Sequence, residues 1–345
     1  VKVIPVTGVG EVQEGENLAA LLAAALEPLA PREGDVLCVS TKIVSKARGL
    51  RIDPARRDEA IRAAAVRTVA RRRHTRVVTS VVQIPSGPVM AAAGVDGSNA
   101  PDGPLLLPED PDAEARALHE GLRARLGLRL GVVLTDTSSR VWRVGVTDIA
   151  LGAAGISALQ DLRGGTDADG RPLTVTVRNL ADELAAAADL VKGKASGVPA
   201  ALVRGVAGAD ASDVPARELS RTGADDWFRR PSLESVWVAL GLTEEQEPIA
   251  RMSPEPDEER IERALHVARI PRRGDEGAAD AAHPSVRREP GALHVVPAGD
   301  DPASWIAAGG LAERIRTALG AESLAAPLPP LAVLIDRPAP EEPRR

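Results

Sequence analysis

GVVLTDTSSRVWR, residues 131–143, decides how this chain is read. Its first half is an apolar strand-like run, and that run passes straight into Asp136 and Thr137. A carboxylate and a hydroxyl at the carboxyl end of a strand stand where α/β proteins place their ligands. Arg140 and Arg143 follow, and a guanidinium suits phosphate or carboxylate through its forked donors. A capped helix start would account for Asp136 but leaves the two arginines without a role.

Outward from this stretch, short apolar runs alternate with Ala-rich segments. Val36–Ser40, Val77–Ile84, Val132–Thr135, Leu173–Val177 and Ala200–Val203 read as strands, and 16–27, 55–73, 112–126 and 180–192 as helices. That alternation argues an α/β fold, with mixed α and β elements. The best-signed helix is NLADELAAAADLVKGK. Asn179 is its expected N-cap, Gly193 its end, and Lys192 and Lys194 are expected to face its negative pole.

The chain divides near residue 248. Residues 1–247 carry the alternation, whereas 248–345 are charged and Pro-rich. The second segment holds an amphipathic helix at Asp257–Ala268, a strand at Ala292–Val296, a helix at Ala303–Leu319 and a last apolar run at Leu331–Ile335. It offers little for an independent core, and its tail EEPRR reads as disordered.

Composition narrows the function. The chain has 345 residues, is 44% hydrophobic, and its net charge of −6 gives no reason to expect nucleic acid or an anionic membrane as partner. No apolar run reaches membrane-spanning length and there is no basic-then-apolar leader, so the setting reads as cytoplasmic. The one cysteine, Cys38, sits in VLCVS and reads as a buried thiol. There is one Phe and no Tyr, so the cores must be built from Val, Leu, Ile and Ala.

The usual catalytic signatures are missing. TGVGEVQ fails as a dinucleotide fingerprint, and there is no P-loop, no GxSxG elbow and no His or Cys pair at zinc spacing. Polar clusters beside apolar runs remain. STKIVSKARG, residues 40–49, carries Thr41, Ser45, Lys42 and Lys46; the lysines, four apart, share a face if helical. It reads equally as a phosphate site or as a solvated basic face. AAAGVDGSNA, residues 91–100, reads on its own as a turn, with Asp96 as a cation ligand the sharper alternative. Aspartates, hydroxyls, lysines and arginines without thiols describe a phosphate-handling site for a hard metal, Mg²⁺ or Mn²⁺ rather than zinc.

In order, PVTGVGEVQEGENL, GDVLCVSTKIVSKARG, AAAGVDGSNA, LLLPEDPDAEAR, VVLTDTSSRVWRVGVTDIALGAAG, DLRGGTDADGRPL, ADELAAAADLVKGK and ALVRG resemble the coenzyme F420-0:γ-glutamyl ligase family across residues 1 to about 245. The resemblance implies GTP-dependent joining of L-glutamate to F420-0 and γ-linked extension of the tail, on a mixed α/β fold that forms an intertwined homodimer. It implies two divalent cations, with potassium as a further candidate ion. Carried over block by block, Val9, Gly10, Glu11, Val12, Thr41, Lys46 and Asn99 would touch GTP. Asp96 and Asp136 would hold one metal and Thr137 the other. Lys46 with Arg140 or Arg143 would stabilise the charge on the transferring phosphoryl group, and Asp148 and Asp167 are candidate bases for the glutamate amine.

The chain departs from the family's usual Gly, Gln and Tyr at Ser139, Val146 and Ala168. Some family members carry a second, FMN-binding domain resembling nitroreductases. Residues 248–345 read as a shortened, degenerate relic of it for which no FMN is expected. The segment is too short, acidic where a phosphate would sit, and has only Trp305 as aromatic bulk.

Overall fold

The computed structural model describes residues 1–207, 213–222, 233–251, 253–272, 283–324 and 326–338. The EEPRR tail lies outside them. The chain forms two compact units: residues 1–69 with 80–226, and residues 70–79 with 227–345. This contact-defined division, at 226/227, differs from the 247/248 boundary read from composition.

In the first unit the strands β1 (Lys2–Val6), β2 (Val36–Ser40), β6 (Gly131–Arg140), β7 (Arg143–Ala154) and β10 (Ala200–Arg204) make one sheet in the order β1-β10-β2-β6-β7. Only β2 and β6 run parallel; the other neighbours are antiparallel. The helices are α1 (Leu18–Leu26), α2 (Thr41–Ala47), α3 (Arg57–Ala63), α4 (Pro111–Leu126) and α5 (Leu180–Lys192). Leu22, Leu26, Leu118 and Leu122 of α1 and α4 pack with Leu37, Val132 and Leu134 of the sheet. Leu180, Leu184 and Ala188 of α5 pack with Val36, Cys38, Val133 and Val203. Successive strand residues therefore feed opposite cores, which is why the central strands are apolar throughout. The Cys38 thiol is buried, lies 3.6 Å from the Leu184 carbonyl, and is pushed up to about 12 by desolvation.

Several segments differ from the sequence reading. Residues 55–73 do not make one helix: α3 ends after seven residues, and β3 (Arg67–His74) follows. The reason is non-local. Within the second unit Arg72 pairs with Ala250 of β11 (Ala250–Arg251), Arg71 donates to the Glu247 carbonyl at 3.1 Å, and Arg72 is ion-paired with Glu234. These partners lie more than 160 residues away and overrule a weak local helix preference.

After β3 come β4 (Val77–Gln83) and β5 (Val89–Ala91), whose residues Val81 and Ala91 pair. The strand expected at Leu173–Val177 is displaced: β9 (Val177–Asn179) starts where that run ends and pairs with β8 (Leu159–Asp161). The strand expected to stop at Thr135 runs on to Arg140, because β7 continues to pair with it as far as Arg140↔Arg143. Asp136 and Thr137 are thus inside a strand, and a helix cap at Asp136 is excluded.

One register shift in that ribbon has functional weight. Leu134 pairs with Gly152 but Thr135 pairs with Ala150, so Leu151 is an extra residue. Such a bulge twists a strand and re-aims the side chains beyond it. Gly152 is also where the α4 N-terminus comes closest: a Cβ there would meet the Pro111 carbonyl oxygen at 2.2 Å. Gly152→Ala is therefore expected to destabilise the chain by about 2 kcal/mol, because backbone must move. A denaturant melt with an unchanged midpoint would contradict this.

In the second unit, α6 (Leu233–Ala239), α7 (Asp257–Arg269) and α8 (Pro302–Glu322) accompany a sheet of β12 (Ser285–Glu289), β13 (Ala292–Val296) and β14 (Ala332–Ile335). Trp237, Ile261, Leu265, Leu293, Val295 and Ile315 form a core of its own. The segment read as too poor for a core supplies most of this one, and Trp237, Leu240 and Leu242 from before 248 complete it. Arg263 is held between Glu322 and Glu255, each at 2.7 Å, in a largely buried ion network. No helix among the described residues is long and apolar enough to cross a membrane.

Candidate functional site

The parallel pair β2 and β6 carries the site. A cleft of ≈ 210 Å³ opens beyond the carboxyl end of β2, where its pairing with β6 stops at Ser40↔Thr135, and is lined by Asp136 and Thr137 of β6, the opening loop, α2, the 96–99 loop, the end of α5 and the loop after it. Alternation along β6 divides the polar groups between the two sheet faces. Thr135 and Thr137 point to the α5 side, where their hydroxyls donate to Asp148 at 2.8 and 2.9 Å. Asp136, between them, takes the other face.

Four lysines converge on the cleft. Lys42 and Lys46 sit one turn apart on α2 and both line it. The Lys42 ammonium donates to Asp96 at 2.7 Å and to the Ser98 carbonyl and hydroxyl at 2.6 and 2.9 Å. Lys46 is buried and paired with Glu11 of the opening loop. Lys192, the last residue of α5, is buried against Asp148 and Thr135, each at 2.6 Å. Lys194 donates to the Thr137 hydroxyl. Asn99 ties two walls together by donating to the Lys194 carbonyl at 3.1 Å.

The carboxylates differ in charge state. Burial opposes ionisation of Asp96, but hydrogen bonds from Lys42 and Ser98 outweigh it and hold the carboxyl below its usual range. Burial pushes Asp136 up to about 6. The Thr137 backbone N–H opposes that rise, the nearby Asp148 adds to it, and the ammonium charges of Lys194 and Lys42 only partly offset it. No side-chain donor among the described residues meets Asp136. A buried carboxyl short of positive charge, in a cleft that Asp96 and Thr137 also line, suits a hard dication, and the donor set contains no sulfur or imidazole. Among the described residues no three His, Cys, Asp or Glu side chains gather into a metal cluster.

Gly10, Glu11, Val12, Lys46, Asp96, Asn99, Asp136 and Thr137 from the sequence reading all line this cleft. Val9 instead packs in the α1 core. Thr41 is fully buried, its hydroxyl lacks a hydrogen-bond partner, and it lies between the lining residues Ser40 and Lys42. Arg140 and Arg143 pair across the turn of the β6–β7 ribbon and do not line the cleft. Asp167 is engaged in its own turn, accepting from the backbone of Asp169 and Arg171. Asp148 is in the lining, yet its oxygens are taken by Lys192 and two threonines. Ser139 and Val146, the departures in the ribbon, are cross-strand partners, and neither they nor Ala168 line the cleft.

The sequence reading missed Lys192 and Lys194 as site residues. Their signal was VKGK directly after a helix, which had been assigned to the helix pole. Lys192 instead points inward to Asp148 and Thr135, and the chain turning at Gly193, φ +59, brings Lys194 to the cleft wall.

The family model for F420-0:Gamma-glutamyl ligase matches residues 8–205. A protein of Haloarcula marismortui named coenzyme F420:L-glutamate ligase is 38% identical over 261 residues, covering 69% of this chain and 96% of its own length. Proteins of the same name from Methanopyrus kandleri and Archaeoglobus fulgidus are 40% and 36% identical, covering 59% and 67% of this chain and 87% and 97% of theirs. With its matched region spanning the cleft from Gly10 to Pro199, the chain belongs to the F420-0:γ-glutamyl ligase family.

Proposed function

We propose that this chain ligates L-glutamate to coenzyme F420-0, and then extends a γ-linked glutamate tail, using GTP. The observation that carries the reading is the lining of one cleft by four lysines and the carboxylates Asp96 and Asp136. An anionic nucleotide and an anionic acceptor need such a set of cations to meet. In the proposed reaction a carboxylate of F420-0 attacks the γ-phosphorus of GTP. GDP leaves, an acyl phosphate forms, and the glutamate amine then displaces phosphate.

Two divalent cations, Mg²⁺ or Mn²⁺, one held by Asp96 and Asp136 and the other by Thr137, would offset the charge on the phosphoryl oxygens. The protein's own part is positioning: Gly10, Glu11, Val12 and Asn99 line the nucleotide side, and Lys46 supplies a fixed ammonium. Asp148, held by Lys192, orients Thr137 and is poorly placed to accept the amine proton. Incubation with F420-0, glutamate, GTP and Mn²⁺, read by mass spectrometry, tests the reading. Absence of any glutamylated product would reject it.

Lys46→Ala is expected to raise the apparent GTP constant by about 10- to 100-fold, the loss of one charge-assisted phosphate contact. Glu11, its partner, is 56% exposed and returns to water at little cost. An equal rise in the glutamate constant would mean that Lys46 is structural.

We also propose that the chain acts as a cytoplasmic homodimer. The β6–β7 ribbon supports this, since Val141, Val144 and Val146 are exposed by 61%, 102% and 61%, an apolar surface that a second copy would cover. Arg140 and Arg143 ride on the same ribbon, so a partner's cleft is where they would act. Light scattering reads the mass. The segment 248–345 is proposed to bind no FMN, so purified chain should be colourless; stoichiometric bound flavin would overturn that.

A further inference from the structure

We propose that Lys42 and Lys194 are exchangeable counter-cations of the metal-free cleft, displaced by the divalent ions onto the nucleotide phosphates, so that metal and nucleotide load together. The inference rests on the ligase reading above and concerns how its ions enter.

Each lysine stands on an oxygen that the reading assigns to a metal. Lys42 holds Asp96 at 2.7 Å and closes over Ser98 through two further bonds. Lys194 holds the Thr137 hydroxyl. The Thr137 proton is already committed to Asp148 at 2.9 Å, so the oxygen presents lone pairs to whatever cation faces it. An ammonium and a dication cannot share those lone pairs, and at contact distance their like charges repel strongly. One must leave when the other arrives.

Both side chains can leave. Lys42 has a four-carbon stem on α2, one turn from Lys46, and so can swing toward the same part of the cleft. Lys194 lies between Gly193 and Gly197, both with positive φ, in an exposed loop with few packing constraints. Without nucleotide the displaced ammoniums gain only water and the ion must oust them unaided. With nucleotide they exchange a carboxylate or hydroxyl partner for phosphate oxygens, which favours the exchange. The lysines therefore weaken metal binding to the empty protein and couple it to nucleotide. By linkage the coupling is the same in both directions.

The test is Mn²⁺ binding to the metal-free full chain, followed by the electron paramagnetic resonance of free Mn²⁺, with and without a non-hydrolysable GTP analogue. Lys42→Met and Lys194→Met are each expected to lower the Mn²⁺ dissociation constant on the order of 10-fold without nucleotide. They should also shrink the gain in Mn²⁺ affinity that the analogue brings. Melting the Mn²⁺-loaded variants keeps misfolding apart: they should melt with wild type, whereas metal-free Lys42→Met should melt lower because Asp96 has lost its partner. If both variants bind Mn²⁺ no tighter than wild type while Asp136→Asn loses the tight site, the exchange is wrong and the metal reading stands. If Asp136→Asn binds Mn²⁺ as wild type does, the metal reading fails and takes this inference with it.

Discussion

Asp136→Asn is expected to remove ligation and, in the same preparation, to raise the melting temperature of the metal-free protein near neutral pH. The two effects share one cause. The Asp136 carboxyl, pushed up to about 6 by burial, keeps its proton in the folded chain at pH values where the unfolded chain has lost it. For a raised carboxyl the folded state binds more protons, so stability falls as pH rises from about 4 to about 6 and the loss is complete above that. At about pH 7.5 the ionised group costs the metal-free fold up to about 3 kcal/mol, a cost that the neutral amide does not carry.

Activity should fall on the order of 10³-fold, as when a group aimed at developing charge is removed. Saturating Mn²⁺ should reverse the stability order, because the ion binds the wild-type fold and stabilises it by mass action. A metal-free variant that melts below wild type near pH 7.5 would show that Asp136 is satisfied within the protein. Asp102→Ala serves as control: its pairing with Arg51 at 3.3 Å is 69% exposed on the aspartate side and should matter little.

Lys192→Met is expected to be the most destabilising of the site substitutions, at about 3–5 kcal/mol. Lys192 and Asp148 are exposed by 4% and 5%, and the ammonium lies 2.6 Å from the carboxylate. Removing the lysine leaves a buried carboxylate with, among the described residues, two threonine hydroxyls against it. The partner change, Asp148→Asn, strands the ammonium in the same way. The double variant should recover much of the loss, since burying neither charge avoids both desolvation costs. Denaturant melts of the four proteins give the coupling energy. A single Lys192→Met loss under about 1 kcal/mol would mean that water reaches the pair. Because Asp148 fixes the Thr137 hydroxyl, Lys192→Met should also weaken Mn²⁺ binding even where the chain is folded.

The sequence alone determined the features that depend on near neighbours. VLCV and VVL are unbroken apolar runs and read as strands, and β2 and the start of β6 lie where those runs begin. NLADELAAAADLVKGK carries its own N-cap, apolar stripe and terminal glycine, and α5 has the expected bounds. The ordered polar blocks sufficed for the family, and most of the residues carried over from it share one cleft.

Tertiary structure alone decided three things. Whether RTVARRRH was helix or strand depended on Ala250, Glu234 and Glu247, which no local window contains. How AAAGVDGSNA, read as a site through the family resemblance, is tied to the rest of the cleft was decided by the lysine of another block, Lys42, reaching Asp96 and Ser98. The direction of Lys192 was decided by Asp148 on a neighbouring strand. A lysine at a helix end gains a few tenths of a kcal/mol from the helix pole, but a buried carboxylate attracts it far more strongly. Local energies of that size set where elements begin and end; the destination of a long charged side chain is set by the strongest opposite charge that the fold brings within its reach.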